Sequence, residues 1–161
     1  MHIGDAYSLL FKNGKVQVKG NFFVVSDKNS IRIALIDYDT PLKAEIVNKK
    51  VISKSEFLTN GELLLKQFAF YCDCDKISGN ICVRSRQSGD TISPAKRNCT
   101  KSLKKLFNEL KIDVEKRAAV PVLCDDDGVI GVYGYCVDER VRVKDDTSRV
   151  LLFNIHLEDN N

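Results

Sequence analysis

The sequence predicts an α+β fold that is mostly β, with one basic amphipathic helix packed on short strands. Segments with apolar residues at alternate positions recur along the chain and are separated by turn-forming residues, which is typical of strands. Only one segment has a clear helical period. Its apolar residues fall at i, i+3, i+4 and i+7: Leu103, Leu106, Phe107 and Leu110.

The N-terminal half predicts a short helix followed by a β-meander. Apolar residues at a helical spacing predict the helix within 1–10. Asn13-Gly14 predicts a turn, and alternating residues predict strands at 15–19, 22–25 and 31–36. The pattern is weak from 37 to 60, with short apolar pieces at 44–47 and 51–52. Glu62–Tyr71 fits a helix or a strand, and Phe68 and Phe70 at alternate positions favour an extended C-terminal half.

The second half predicts a strand, a turn, the helix and a set of short strands. Gly89-Asp90 is a turn after the strand Ile81–Ser85, and Thr100 or Asn98 is expected to cap the helix. Asp126-Asp127-Gly128 predicts a hairpin turn. The remaining strands are expected at Val120–Cys124, Val129–Tyr133, Cys136–Val137, Arg140–Val143 and Val150–Leu157. We expect a β-rich region over 1–78 and a C-terminal domain over 79–157.

Positive charge is concentrated around the predicted helix. The chain has a net charge of +3, but between Ile81 and Arg117 ten basic residues face four acidic ones. Such a surface favours an anionic partner, and nucleic acid binds through Lys and Arg contacts to phosphate. The candidate RNA-binding residues are Arg84, Arg86, Lys96, Arg97, Lys101, Lys104, Lys105 and Arg117.

Each of these residues also has a structural interpretation. A lysine-rich helix face is often simply solvated. Arg84 and Arg86 are equally suited to an internal salt bridge with Asp90, and Arg117 to holding the loop beside an apolar strand.

Familiar catalytic and metal-binding patterns are absent from the sequence. It contains no G-x-x-x-x-G-K-[ST], no G-x-G-x-x-G and no G-x-S-x-G, and no His is placed to activate a nucleophile. His156 is expected to be an ordinary strand residue. The six cysteines are expected to be buried reduced thiols rather than disulfides or zinc ligands. With no signal peptide or long apolar run, we expect a cytoplasmic protein without a membrane partner, catalytic residues or a metal site in this chain.

Three stretches of the second half resemble the C-terminal domain of bacterial tRNA(Ile)-lysidine synthetases. They are FYCDCDKISGNICVRSRQSGDTISP, KSLKKLFNELKI and EKRAAVPVLCDDDGVIGVYG. The family pattern is a "DK" turn, R-x-R-x-x-G-D, a lysine-rich helix, an arginine before "P-V", and an acidic turn. Here it falls on Asp73 or Asp75 with Lys76, on Arg84, Arg86 and Gly89-Asp90, on Lys101, Lys104, Lys105 and Phe107, and on Arg117, Pro121-Val122, Gly128 and Gly134.

The resemblance implies a fold and a role. The fold is a layered β-sandwich shared with a region of the phenylalanyl-tRNA synthetase beta subunit. The role is to hold tRNA(Ile) with a CAU anticodon, at the acceptor stem, while a catalytic domain uses ATP and Mg²⁺ to attach lysine to the wobble cytidine. The family's S-G-G-x-D-S loop is missing, so we expect a non-catalytic C-terminal fragment that needs no cofactor itself and partners its own catalytic domain.

An alternative function belongs to a different class. The chain is then an interaction module that packs on another domain or forms a homodimer, and its basic face is incidental.

Overall fold

The computed structural model describes residues 14–19, 22–26, 30–35 and 42–158. Its strands are β1 (Gly14–Lys19), β2 (Phe22–Ser26), β3 (Ile31–Leu35), β4 (Ala44–Ser53), β5 (Phe70–Asp73), β6 (Cys82–Arg84), β7 (Thr91–Ile92), β8 (Lys101–Ser102), β9 (Val122–Asp125), β10 (Gly128–Val132), β11 (Cys136–Val137) and β12 (Arg149–Leu157). Its α-helices are α1 (Lys54–Gln67) and α2 (Leu103–Glu109). Short 3₁₀ helices lie at Cys74–Lys76, Val114–Ala119 and Glu139–Val141. This predominance of strands confirms the predicted α+β, mostly β class.

The chain divides into two units. The described part of 14–35 forms one unit with Asp113–Ala118, and the described residues of 42–112 and 119–158 form the other. In the first unit β1, β2 and β3 pair antiparallel in sequence order, which confirms the β-meander. Arg32 Nε donates to Glu115 Oε1 at 3.1 Å in this unit. The helix predicted within 1–10 lies outside the described residues, and the boundary between 78 and 79 stays a prediction.

The second unit is built from antiparallel sheets. β11, β10, β9 and β6 form one sheet in that order, and β12 lies between β4 and β5 in another. β7 and β8 form a separate hairpin. The turn at Asp126 and Asp127 joins β9 to β10, with Gly128 at φ +138°, so the predicted hairpin is confirmed. His156 is exposed on β12, as expected for an ordinary strand residue.

The apolar stripe of α2 is buried as predicted. Leu103, Leu106 and Phe107 are at most 1% exposed and pack in one cluster with Val122 and Cys124 of β9. At about 25 cal/mol per Å² of apolar surface, burying such side chains stabilises the fold by roughly 1.5–3 kcal/mol each. The helix is therefore fixed in orientation by its packing, which decides where its polar side chains point.

The other face of β9 is also buried. Leu123 packs in a second cluster with Phe70 of β5 and Phe153 of β12, whose ring centroids lie 5.0 Å apart. Because successive side chains of a strand point to opposite faces, β9 contributes to both clusters. The layered β-sandwich arrangement stays a prediction.

In sequence the segment Glu62–Tyr71 fits either a helix or a strand, and the extended structure predicted for its C-terminal half is confirmed from Phe68 onwards. The helix α1 runs from Lys54 to Gln67, and only Phe70 and Tyr71 belong to a strand. Ser53 caps the helix, its Oγ accepting from the Glu56 N–H at 3.1 Å. Sequence periodicity missed α1 because Leu64 is its sole buried residue, while its other leucines are exposed: Leu58, Leu63 and Leu65.

Two local predictions are wrong. The strand predicted at Arg140–Val143 is absent, since Glu139–Val141 is a 3₁₀ helix in which the Asp138 carboxylate accepts from the Arg140 N–H at 2.8 Å. The cap of α2 is neither Asn98 nor Thr100 but Ser102, whose Oγ accepts from the Lys105 N–H at 3.2 Å. In both cases the competing signal is a capping side chain next to the helix start.

The cysteines are all free thiols, but they are not all buried. Burial raises the pKa of Cys72 to about 12 and that of Cys124 to about 11. Cys82 and Cys99 are exposed, so the prediction of buried thiols is wrong for these two. Among the described residues, no helix is long and apolar enough to cross a membrane.

Candidate nucleic-acid interface

The helix α2 presents two lysines to solvent. β8 leads directly into it, and the pairing of Thr91 with Ser102 fixes the point where the helix starts. Since the apolar stripe faces the core, Lys104 and Lys105 project outwards and are exposed. Neither ammonium has a hydrogen-bond or salt-bridge partner among the described residues. Both remain available to an anion.

Arg84 anchors the turn that precedes this helix. Its NH1 and NH2 groups donate to the two carboxylate oxygens of Asp90 at 2.7 and 2.9 Å. The backbone carbonyl of Asp90 accepts from the Leu103 N–H at 3.0 Å, so the salt bridge is connected to the first turn of α2. Burial by itself would raise the pKa of Asp90, but hydrogen bonds from Arg84 and the Gln87 N–H outweigh it and hold the pKa below its usual value.

Arg84 and Arg86 therefore differ. Arg84 makes the internal salt bridge that its sequence position suggested as an alternative to RNA contact. Arg86 is half-buried, and the described residues offer it no hydrogen-bond or salt-bridge partner. Within the R-x-R motif, Arg86 is thus the cation that can bind an external phosphate most readily.

A single carboxylate holds two of the predicted basic residues. Lys101 Nζ donates to both carboxylate oxygens of Glu109 at 2.9 and 2.8 Å, and Arg97 NH1 lies 3.5 Å from the same group. The Lys101 hydrogen bond, with the charges of Lys101, Arg97 and Lys105, holds the pKa of Glu109 below its usual value. We call Glu109, Lys101 and Arg97 the Glu109 cluster. Two cations and one carboxylate leave it with a charge of +1.

The loop from Ser93 to Thr100 is fixed along the segment 137–139. The Ala95 N–H donates to the Val137 carbonyl at 3.0 Å, and the Ser93 N–H donates to the Asp138 carboxylate at 2.8 Å. Lys96 and Asn98 adopt left-handed backbone conformations with φ of +64° and +48°. For residues other than glycine this conformation is rare, and the hydrogen bonds of the loop maintain it here.

A second carboxylate extends the basic surface to residues that the sequence did not single out. Glu139 accepts from Arg142 Nε and NH2 at 3.0 Å, from the Lys96 N–H at 2.9 Å, and lies 3.1 Å from Lys144 Nζ. The Arg142 hydrogen bonds, followed by those from Lys96 and Lys144, lower the pKa of Glu139 to about 2. We call Glu139, Arg142 and Lys144 the Glu139 cluster. The alternating sequence R-V-R-V-K at 140–144 was the available signal.

The structure thus brings most of the predicted residues into one unit. Arg84, Arg86, Lys96, Arg97, Lys101, Lys104 and Lys105 all lie in the second unit. Arg117 is half-buried in the 3₁₀ helix Val114–Ala119, within the part assigned to the first unit. Lys101 is only 14% exposed and Arg84 is 27% exposed, so both are tied to carboxylates more than they are open to solvent. RNA contact by these residues stays a prediction.

Comparison with known proteins gives a consistent family. Residues 81–154 match the family model described as the TilS substrate C-terminal domain. A tRNA(Ile)-lysidine synthase of Caldanaerobacter subterraneus subsp. tengcongensis is 36% identical over 110 residues, which are 68% of this chain and 22% of that protein. One of Clostridioides difficile is 29% identical over 181 residues, covering 96% of this chain and 37% of that protein.

A solved structure of a TilS C-terminal domain is also similar to this chain. It is 27% identical with a TM-score of 0.48, and the match covers 56% of this chain and 71% of that one. The chain spans 22% and 37% of the length of the two relatives above.

Proposed function

Residues 81–154 belong to the TilS substrate C-terminal domain family, and on this premise we propose that the chain is the tRNA-binding C-terminal part of a tRNA(Ile)-lysidine synthase. In this role it holds tRNA(Ile) with a CAU anticodon by the acceptor stem. A catalytic domain of the same enzyme, using ATP and Mg²⁺, attaches lysine to the wobble cytidine. The chain itself binds the tRNA and positions it for the catalytic domain. This role is consistent with a cytoplasmic protein.

The observation that carries the proposal is the free pair Lys104 and Lys105 on a helix within the matched segment. Their ammonium groups are exposed and lack salt-bridge partners among the described residues, so binding a phosphate breaks no internal salt bridge. Arg86 adds a third cation in the same segment that has no salt-bridge partner in the part of the chain that the structure describes. Contacts of this kind supply affinity and register without reading the base sequence.

Phosphate contact is also what a paired acceptor stem allows. The major groove of an A-form helix is deep and narrow, so side chains reach the backbone more easily than the bases. A basic helix face supported by a buried apolar stripe is therefore suited to hold the stem by its phosphates. Identity reading then belongs to other parts of the enzyme.

The experiment measures the affinity of the chain for tRNA(Ile) with a CAU anticodon, and for an unrelated tRNA, from about 50 mM to about 200 mM salt. Affinity should fall steeply with salt, and Lys104→Glu/Lys105→Glu should make the salt slope shallower by about 2, because each lysine that binds a phosphate adds roughly one to the slope. The matched control is Lys49→Glu/Lys66→Glu, which makes the same charge change at exposed lysines outside the matched segment. The proposal fails if the chain binds neither tRNA at the lowest salt, or if the two double variants weaken binding equally.

A second candidate function is favoured by α1. Leu58, Leu63 and Leu65 are 69, 62 and 49% exposed, and exposed apolar surface that is contiguous marks protein interaction sites. In this function the chain is an interaction module that forms a homodimer. Its molecular mass in sedimentation equilibrium would then rise with protein concentration. Leu58→Glu/Leu65→Glu would abolish the dimer and Lys104→Glu/Lys105→Glu would leave it unchanged.

A further inference from the structure

A hollow with a mixed apolar and polar lining opens beside the Glu109 cluster. It has a volume of about 300 Å³ and is formed by three elements of the second unit. The helix α2 contributes Leu106, the residue that caps its C-terminus is Leu110, and the loop before β8 contributes Arg97. The rest of the lining is Pro94, Ala95, Tyr135, Cys136 and Val137. Among the described residues, Arg97 is the one charged residue of this lining, so the hollow offers apolar and polar surface together with a single cation.

Tyr135 is held at the rim of this hollow by a tight turn. Its N–H donates to the Val132 carbonyl at 3.0 Å, and Gly134 before it has φ +79°, a conformation that glycine adopts without strain. The side chain is 51% exposed, and its hydroxyl has no hydrogen-bond partner among the described residues. Tyr133, in the same turn, differs: it is half-buried and its hydroxyl accepts from the Ile155 N–H at 3.2 Å.

The hollow is continuous with the basic surface through Arg97. The same guanidinium that lines it lies 3.5 Å from Glu109, next to Lys101 in the Glu109 cluster. Lys96, which precedes Arg97 in the fixed loop, is exposed and places another ammonium nearby. A ligand that fits this arrangement combines a flat apolar body with an anionic group. A nucleotide has this composition.

We propose that this hollow receives one unstacked nucleobase of the bound RNA, with the base against the Tyr135 ring and its phosphate near Arg97. The proposal rests on the RNA-binding role given above and adds a binding site to it. Proteins recognise unpaired RNA bases by stacking them on aromatic side chains and on arginine planes, and Tyr135 and Arg97 offer one of each. A volume of about 300 Å³ lies at the lower limit for ligand sites, which suits one base and not several.

The same chemistry is present in a free mononucleotide, but the site favours a base attached to RNA. The described lining of the hollow has one cation, and the sequence has no glycine-rich phosphate loop. A free nucleotide must overcome its own loss of translational freedom with these few contacts. A base that is already tethered by the duplex binds at a high effective concentration. An RNA with a single-stranded end next to its stem should therefore occupy the site.

The test compares two RNA hairpins of identical stem, one blunt and one with a short single-stranded 3′ end that carries the fluorescent base 2-aminopurine. The single-stranded end should increase the affinity of the chain by about tenfold, the lower part of the range for stacking of one base on an aromatic side chain. Tyr135→Ala should remove this gain and leave the affinity for the blunt hairpin unchanged. In the wild-type chain, stacking on the Tyr135 ring should quench the 2-aminopurine fluorescence. Tyr135→Phe retains the ring, so it should retain both the gain in affinity and this quenching.

The outcomes separate the two proposals. Equal affinity of the wild-type chain for both hairpins, or a gain that survives Tyr135→Ala, overturns the base site and leaves the phosphate-binding role intact. Failure to bind either hairpin overturns both. A cytidine monophosphate titration forms the remaining arm. Saturable binding of this mononucleotide that depends on Tyr135, without any gain from the single-stranded end, assigns the hollow to a free nucleotide and overturns an RNA base.

Discussion

Replacing Asp125 by Asn tests how much one buried carboxylate stabilises the connection between the β9–β10 hairpin and the Glu139 cluster. This side chain is 0% exposed and its oxygens accept from Arg140 NH1 and NH2 at 2.9 and 2.8 Å. They also accept from the Ser78 N–H at 2.9 Å and the Asp127 N–H at 3.1 Å. Arg140 lies in the 3₁₀ helix that also contains Glu139, so the pair connects the β9–β10 hairpin to the Glu139 cluster.

The expected loss of stability follows from these contacts. Breaking a buried ion pair by removing one partner typically costs about 3–5 kcal/mol. The Arg140 side chain is 35% exposed, so water recovers part of its solvation, and we expect about 2 kcal/mol for Asp125→Asn. The asparagine keeps one acceptor oxygen, but its NH₂ group then faces an N–H donor. A smaller loss would mean that the carboxylate contributes geometry without much charge-dependent stability.

The assay is urea unfolding followed by far-UV circular dichroism at neutral pH and in acid. With a slope of about 2 kcal/mol per M, a loss of about 2 kcal/mol moves the midpoint by about 1 M. Hydrogen bonds from Arg140, Ser78 and Asp127 overcome the effect of burial and lower the pKa of Asp125. The group therefore contributes stability above its unfolded pKa of about 3.9, and this contribution is lost as the pH falls through the lower folded value. The difference between wild type and variant should shrink in acid.

The neighbouring exposed carboxylate provides the matched control. Asp126→Asn removes the same charge from the same turn, and its effect should stay within about 0.5 kcal/mol. The reasoning is refuted if Asp125→Asn is equally mild, or if its effect is the same at neutral pH and well below pH 4. The midpoint in urea decides both points.

Two further predictions follow from backbone geometry and burial. Gly79→Ala should lower the free energy of unfolding by about 1–2 kcal/mol, because Gly79 has φ +65° and its added Cβ would lie 1.8 Å from Asp126 Oδ2. Gly61→Ala, in the interior of α1 with open space at its Cβ, should raise the free energy of unfolding by about 0.5–1 kcal/mol. Urea unfolding measures both variants, and a change of the opposite sign contradicts the prediction concerned. Cys82 should react with a thiol reagent in the folded chain, whereas Cys72 should react only after unfolding; labelling followed by peptide mass spectrometry would contradict this if both react at the same rate.

The features that the sequence predicted correctly depend on neighbours close in the chain. The apolar period of α2, the alternation in β1–β3 and the hairpin at Asp126-Asp127-Gly128 are all short-range patterns. The salt bridge of Arg84 with Asp90 also joins residues only six positions apart, and the sequence suggests it as one of two alternatives. Where a strong local pattern meets a buried face, prediction from sequence succeeds.

The features that were missed depend on packing or on distant partners. The helix α1 buries little, so its leucines do not form a clean stripe. The hydrogen bond of Lys96 with Glu139 joins residues 43 positions apart, and that of Arg140 with Asp125 joins residues 15 apart. Such pairs form only after the strands have come together. Arg142 and Lys144 are close to Glu139 in the chain, but the distant hydrogen bond from Lys96 is what brings Glu139 beside the predicted basic loop, so the sequence does not assign these cations to the basic surface.

The two carboxylates at the centres of the clusters change what the surface can do without removing its attraction for anions. Each holds more cations than it neutralises, and it fixes long side chains that would otherwise lose rotamer freedom on meeting a phosphate. Among the described residues, Lys104, Lys105 and Arg86 have no salt-bridge partner, so their side chains lose more rotamer freedom on binding a phosphate. A surface of this kind combines preordered cations with adaptable ones. Phosphates whose spacing is fixed by a duplex should be held in register by the ordered groups, while the free ammonium groups adjust to the rest.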